Sequence, residues 1–392
     1  MTQEAGFLLE PAQLLARQSY KWGQYPPGVI AACVADMDFR APAAVQAAMQ
    51  RNVDGFAYSY PLRAGERADR AVARAFAARM QRRFGWEVDP GQVLVLADLV
   101  QAVYATLLAY TDLGDGVILQ LPSYPPFRDA IAGTGRRLIP LEMEWTPEGH
   151  VFDLDKLEAA VDARTRVFVL CNPQNPTGRV FTRSELQRVA AFAEKHDLVI
   201  VSDEIHADLV YPGAEHLPIA ALSPQTAART VTLNSATKSF NIPGLRCAAA
   251  CFGTPELMRR FHARIPERLT GQVNSFGIDA TVAAWSEGQP WLDAVLQHLL
   301  ALRDHVAATL HRELPQVRFH LPQATYLLWL DCAGLALGEP AFDFFLREAR
   351  VGFSPGPAFH PAASHFVRLN FATSWPIADE MLQRVVEAVR RR

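Results

Sequence analysis

A single lysine in a hydroxyl-rich turn is the first residue of this sequence with a clear chemical use. Lys238 follows the β-branched run 230–234 and sits in Ser235-Ala-Thr-Lys238-Ser239, with Arg246 eight residues on. A lysine at a strand end can form an imine with an aldehyde once its amine is deprotonated. Ser235 and Arg246 are residue types that hold a phosphate, the arginine through a bidentate, charge-assisted pair. Upstream, an apolar run delivers Asp203, with His206 three residues further. A buried carboxylate needs a partner, and a cationic pyridinium nitrogen would supply one. Asn172-Pro-Gln-Asn175-Pro-Thr-Gly178 is a tight turn after another apolar run and presents Asn175, a short side chain with a donor. Leu121-Pro-Ser-Tyr124-Pro-Pro-Phe127 presents Tyr124, whose ring suits a flat ligand.

Each piece has a plainer alternative. Lys238 alone fits a surface lysine in a polar turn. Ser235-Ala-Thr-Lys238 also fits the Ser-x-x-Lys motif of penicillin-recognising enzymes, but its Ser-Asp-Asn and Lys-Thr-Gly companions are missing from the chain. Asp203, Glu204 or Asp208 could cap a following helix, and Tyr124 could pack on its own domain.

The elements that must position these residues alternate. Short β-rich runs at 93–97, 116–121, 137–141, 166–171, 198–202, 230–234 and 247–252 are separated by helical patterns near 100–110, 126–132, 154–161, 183–195 and 256–264. This predicts an α/β fold with a seven-stranded, mainly parallel sheet covered on both faces. Ligands of such sheets bind beyond the strand ends, where Asp98, Tyr124, Asn175, Asp203 and Lys238 fall. A helix is expected over 66–84 and a long helical stretch over 276–313. Strands near 316–320, 326–330 and 366–371 and helices near 340–350 and 377–391 then predict a smaller α+β domain. The expected division is 1–45 as an N-terminal arm and part of the small domain, 46–285 as the large domain, and 286–392 as the C-terminal small domain.

With 392 residues the chain is long for one core. Half its residues are apolar, and a formal charge of −3 leaves no basic footprint for nucleic acid or an anionic membrane. The start lacks a signal-peptide pattern, and no apolar run approaches the roughly 20 residues that span a bilayer. Five scattered cysteines without a Cys-x-x-Cys read as buried thiols in a reducing, cytoplasmic setting, and no structural metal is expected.

Taken in order, Tyr124, Asn-Pro-x-Asn-Pro-Thr-Gly, Asp-Glu-x-His, Ser-x-x-Lys with its arginine, and finally Arg368-Leu-Asn370 resemble the fold-type I pyridoxal-phosphate enzymes of the class I/II aminotransferase superfamily. The resemblance spans nearly the whole chain. Lys21-Trp22, Val34-Ala-Asp-Met-Asp-Phe39, Tyr124-Pro-Pro-Phe127, Ser202-Asp-Glu-Ile-His-Ala-Asp208, Phe240-Asn241 and Gly288-x-x-Trp291-Leu292 are similar to its MalY/PatB branch of C–S lyases in particular.

The resemblance implies roles. Lys238 would carry pyridoxal 5'-phosphate and later move the proton. Asp203 would pair with the pyridine nitrogen, and Asn175 with the phenolic oxygen, near which His206 replaces a more usual tyrosine. Tyr124 would stack on the ring, and Ser235 and Arg246 would bind the phosphate. Tyr58 would reach the phosphate of a neighbouring subunit, which implies a homodimer with shared sites. Arg368 would clamp the α-carboxylate of an amino-acid substrate. The phosphate cup departs from the usual small residues, reading Ala97-Asp98-Leu99-Val100. Asp98 is therefore expected to cap the next helix while the amides of Leu99 and Val100 face the phosphate. The implied activity is β-elimination of cysteine S-conjugates, L-cystathionine first among them. An aminotransferase would use the same residues, and a regulatory protein that retains the fold is a further alternative.

Overall fold

The computed structural model describes residues 6–392; the first five residues, part of the expected arm, lie outside the described residues. Eight strands form one sheet: β1 (Val93–Leu96), β2 (Gly116–Leu121), β3 (Arg137–Thr146), β4 (Gly149–Phe152), β5 (Thr165–Cys171), β6 (Val199–Asp203), β7 (Thr230–Asn234) and β8 (Ala248–Phe252). Their spatial order is β1-β8-β7-β6-β5-β2-β3-β4. Pairings from β7 through β6, β5 and β2 to β3 are parallel, whereas β8 runs against β7 and β1, and β4 against β3.

All seven expected strands are present, and the eighth is an addition. Leu141-Glu-Met143-Glu-Trp145 prolongs β3 past its expected end and turns back through Gly149, at φ 139°, into β4. The buried residues alternate with exposed glutamates there, as in an edge hairpin with one wet face. An apolar-run criterion passes over such a strand.

The interior strands bury both faces because successive side chains point opposite ways. Val117, Val169 and Val201 pack in one core with Val103 and Leu107 of the helix Leu99–Tyr110. Ile118, Phe168, Leu170 and Ile200 pack in another with Leu186 and Val189 of the helix Arg183–Lys195. A second sheet, of β9 (Leu327–Asp331), β10 (Ser354–Pro355) and β11 (Phe366–Asn370), has the order β9-β11-β10 and is antiparallel. Ile30–Ala31 pairs in parallel with Val351–Gly352, so the N-terminal segment joins the C-terminal part of the chain.

Four expectations change. Residues 316–320 form no strand; Arg318 makes one isolated bridge to Asp331. Residues 154–161 hold only the 3-10 turn Asp155–Leu157. The helix expected from residue 66 begins at Asp69, after a hairpin of Leu62–Arg63 with Glu66–Arg67. The stretch 276–313 is two helices, Ser275–Glu287 and Gln289–Glu313, with Pro290 opening the second. Gly288 stands at the join, where a Cβ would lie 2.7 Å from the Phe240 ring. Among the described residues, no helix is long and apolar enough to cross a membrane, and all five cysteines are buried and free.

Register sets the strand ends level. Asp203 lies opposite Cys171 on one side and Leu233 on the other, so the segments after β5, β6 and β7 leave the same edge of the sheet. The helix Asp69–Phe84 is locked to the segment after β6 by a buried ion pair. Arg79 Nε donates to Asp208 Oδ2 at 2.9 Å, and the guanidinium carbon lies 5.1 Å from the Phe240 ring centroid. Arg79→Ala would strand a buried carboxylate whose other cation, Arg83, stands at 3.4 Å. A loss of about 3 kcal/mol is expected, measured by urea unfolding; Asp208→Asn combined with Arg79→Met should recover part of it.

Candidate active site

A cavity of about 870 Å³ lies beyond these strand ends, roofed by residues of the second sheet and of the N-terminal segment. Leu99, Val100, Tyr124, Asn175, Asp203, His206, Ser235, Lys238, Arg246 and Arg368 all line it. Tyr58 does not: it is exposed on the surface, its ring stacked on Phe276 at 6.2 Å.

The charges in the cavity are incompletely matched. Asp203 ends β6 and is 5% exposed. Its Oδ1 accepts from the Ile205 N–H at 3.0 Å, and among the described residues no basic side chain pairs with it. Burial pushes its carboxyl up to about 7. Arg368, on β11, is 4% exposed. It donates to Asn175 Oδ1 at 2.9 Å and Ser354 Oγ at 3.1 Å, and its guanidinium lies over the Phe359 ring. Its Nε is buried without a partner, no carboxylate among the described residues pairs with it, and burial pulls its pKa down to about 10. Burial also pulls the Lys238 amine down to about 8, and that amine donates to Ala35 O at 2.7 Å. His206 is drawn down to about 3 by burial and is therefore neutral at physiological pH, with Nδ1 unpartnered.

At the other end of the cavity Asp98 caps the helix Leu99–Tyr110, as expected, through Oδ1 and the Gln101 N–H at 2.7 Å. Its second oxygen pairs with Arg246, so the anion at the expected phosphate cup is already balanced by a cation. The first-turn amides of Leu99 and Val100 stand beside that pair. Ser235 has a local task as well. Its Oγ caps the short helix Ala236–Ser239, accepting from the Thr237 N–H at 3.1 Å, and lies 2.6 Å from Cys247 O.

The cavity has a wall that motif reasoning did not assign a purpose. Residues 34–39 are held from two sides. The Asn241 side chain accepts from Met37 N and donates to Met37 O, both at 2.9 Å, and to Phe39 O at 2.8 Å. Asn370 Nδ2 donates to Val34 O and Asp36 O, each at 2.7 Å. Beneath them Lys21 pairs with Asp38 at 3.0 Å, both side chains buried, and Trp22 Nε1 donates to Asp38 Oδ1 at 2.7 Å. Asn241 lies three residues after Lys238 and Asn370 two after Arg368, so the two functional segments carry their own clamps on this wall.

A phosphorylated pyridine aldehyde fits these residues. The cavity offers an amine of lowered basicity, an unpaired buried acid for a ring cation, and an arginine beside helix amides for a phosphate. The unpaired Arg368 is left over for a carboxylate.

The model of the aminotransferase class I and II family matches residues 31–389 of the chain. The chain is 33% identical to the cystathionine beta-lyase PatB of Bacillus subtilis (strain 168), over 96% of this chain and 97% of that one. Among solved structures it is similar to OvoB, with 36% identity and a TM-score of 0.89 over 95% of this chain and 96% of the other. It is also similar to cystalysin from Treponema denticola, which contains pyridoxal 5'-phosphate, with 27% identity and a TM-score of 0.89 over 95% and 96% of the two chains.

Asp203 gives a test that needs no turnover. Its folded pKa of about 7 lies above the usual carboxylate value of about 3.9. The folded, ligand-free protein thus holds a proton that the unfolded chain has lost, and stability falls as pH rises through that window. Asp203→Asn is expected to be more stable than the parent above about pH 7 and no more stable near pH 4, read from urea unfolding at the two ends.

Proposed function

Because the chain belongs to the class I and II aminotransferase family, within its MalY/PatB cystathionine β-lyase branch, we propose that it is a pyridoxal-phosphate-dependent C–S lyase. It eliminates the β-thiol of cysteine S-conjugates, with L-cystathionine as the first substrate to try. One observation carries this: an unpaired buried acid, an unpaired buried guanidinium and a lysine amine of lowered basicity meet in one cavity.

When bound, the cofactor supplies an electron-withdrawing ring that makes the substrate Cα–H acidic. The chain's residues do the rest. Asp203 keeps the ring nitrogen protonated, and its raised pKa in the free protein is the cost that this cation removes. Asn175 Nδ2 would be offered to the phenolic oxygen, its Oδ1 being held by Arg368. Tyr124 would lie against the ring, and neutral His206 would add no charge beside the oxygen. Arg246, Ser235 and the amides of Leu99 and Val100 hold the phosphate, with Asp98 kept back by its cap. Arg368 takes the α-carboxylate, forming the ion pair that it lacks among the described residues. The Lys238 amine, once free, would take the Cα proton. The Cβ–S bond then breaks, the thiol leaves, and the three-carbon remainder takes up water to give pyruvate and ammonia.

The working unit is a homodimer. Tyr58 is 68% exposed, and Phe56, Tyr60 and Leu62 beside it are 77%, 94% and 61% exposed, an apolar cluster suited to a second copy. From that surface Tyr58 would serve the neighbour's phosphate. Transamination is the second reading, because the matched family is one of aminotransferases and Lys238, Asp203 and Arg368 serve both reactions.

Purified protein with pyridoxal phosphate and L-cystathionine, and no keto acid, is expected to release pyruvate and free thiol over many turnovers. A stall after one half-turnover would favour transamination. Lys238→Ala should lose nearly all turnover together with the lysine-linked visible absorbance; an active variant would refute the mechanism. Arg368→Ala should weaken substrate binding by about 100-fold, the scale of truncating one partner of a buried charge pair. Unchanged binding would place the carboxylate elsewhere.

A further inference from the structure

Five charged side chains line the cavity among the described residues: Asp98, Asp203, Lys238, Arg246 and Arg368. The proposed function occupies all of them. Asp98 and Arg246 hold each other at the phosphate end, Asp203 meets the ring cation, Lys238 carries the cofactor, and Arg368 takes the substrate's α-carboxylate. None remains for the group that the reaction releases. The phosphate end is filled by the cofactor, so the side chain of a substrate held at Arg368 is left the wall beside that arginine. This wall joins Tyr20, Gln24, Tyr25 and Cys33 of the N-terminal segment to Phe353 and Phe359, which stand on either side of β10.

The wall is built, and it is neutral. Phe353 and Phe359 are buried, and the Arg368 guanidinium carbon lies 4.6 Å from the Phe359 ring centroid. The Tyr25 hydroxyl donates to Phe353 O at 3.4 Å. Its ring lies on Gly352, where a Cβ would overlap it. Gln24 Nε2 donates to Cys33 Sγ at 3.0 Å and to Lys21 O at 3.5 Å. Burial raises the Tyr25 phenol and the Cys33 thiol above their ordinary values, so neither ionises at physiological pH. Tyr20 lines the cavity while 74% exposed and so stands at its mouth.

A second copy adds no charge that is free. In the proposed homodimer the surface that brings Tyr58 to the neighbour carries Phe56, Tyr60 and Leu62. The charges that flank it are engaged within their own chain, Asp54 by Gln50 at 2.7 Å and Arg63 by Asp279. The thiol released from cystathionine bears an ammonium and a carboxylate, and against this wall each would lose water with no opposite charge to meet it. A ring or alkyl group gains there by burial and by contact with the aromatic faces. We propose, as a refinement of the lyase reading above, that the wall of Tyr25, Cys33, Phe353 and Phe359 is a leaving-group subsite that takes uncharged, above all aromatic, thiols in preference to the zwitterionic thiol of cystathionine.

The test compares S-benzyl-L-cysteine, S-(4-carboxybenzyl)-L-cysteine and L-cystathionine on the cofactor-loaded full-length protein. The first two differ by one remote charge, so their thiols leave with nearly equal ease. For pyruvate release, kcat/KM is expected to be about 10-fold or more higher for the benzyl conjugate than for either charged one. Gln24→Arg, which puts a cation at the wall, should raise kcat/KM for the carboxybenzyl conjugate and narrow that ratio. Equal values for the three conjugates in the parent protein, or a preference for a charged one, would overturn the subsite. If no conjugate releases pyruvate the lyase reading fails, and the order of their affinities by titration calorimetry then decides the subsite: tightest binding of the benzyl conjugate upholds it, and any other order overturns it.

Discussion

The cavity is organised by charges that the fold buries without completing. Among the described residues Asp203 lacks a cation and Arg368 lacks a carboxylate, and each is held almost fully out of water. Such groups are unfavourable in isolation, so the surrounding structure must prevent them from finding each other or water. Asp203 is fixed at the end of a strand buried on both faces. Arg368 is fixed on a strand of the other sheet, between Asn175, Ser354 and the Phe359 ring. The two half-pairs are thus open to a ligand that carries both a ring cation and a carboxylate, which is what a pyridine cofactor with an amino-acid substrate presents.

Holding two sheets in register around such a cavity takes more than the sheets. The segment 34–39 is the connector. It receives Asn241 from the loop of Lys238 and Asn370 from the strand of Arg368, and it offers Ala35 O to the lysine amine. A displacement of either sheet would break hydrogen bonds on this wall, so Lys238 and Arg368 share one reference frame. Lys21 and Trp22 underpin the same wall through Asp38.

The expected phosphate end shows a different economy. Asp98 looked out of place beside an anion, yet its two oxygens are engaged by the Gln101 amide and by Arg246. The acid stiffens the helix start and orients the arginine, and the amides of Leu99 and Val100 stay available. Ser235 likewise serves first as a cap for the turn that carries Lys238.

What the chain's order of residues determined by itself was the alternation of strands and helices, the parallel character of the sheet and the set of residues at its ends. Those features are local: an apolar run of five or six residues is a buried strand wherever it lands, and a polar residue directly after it must lie at the strand end. The hairpin of β3 and β4 leaves no apolar run because its wet face carries glutamates, and residues 316–320 form no strand because only Arg318 finds a partner. Tertiary structure alone decided three things. It put residues more than two hundred apart, Ala35 and Lys238, within a hydrogen bond. It paired Asp98 with Arg246 and left Asp203 and Arg368 unpaired. It also kept Tyr58 on the surface, outside the cavity of its own chain. The reason is physical: whether a buried charge is satisfied depends on what the fold brings within a few ångströms, and no spacing along the chain records that.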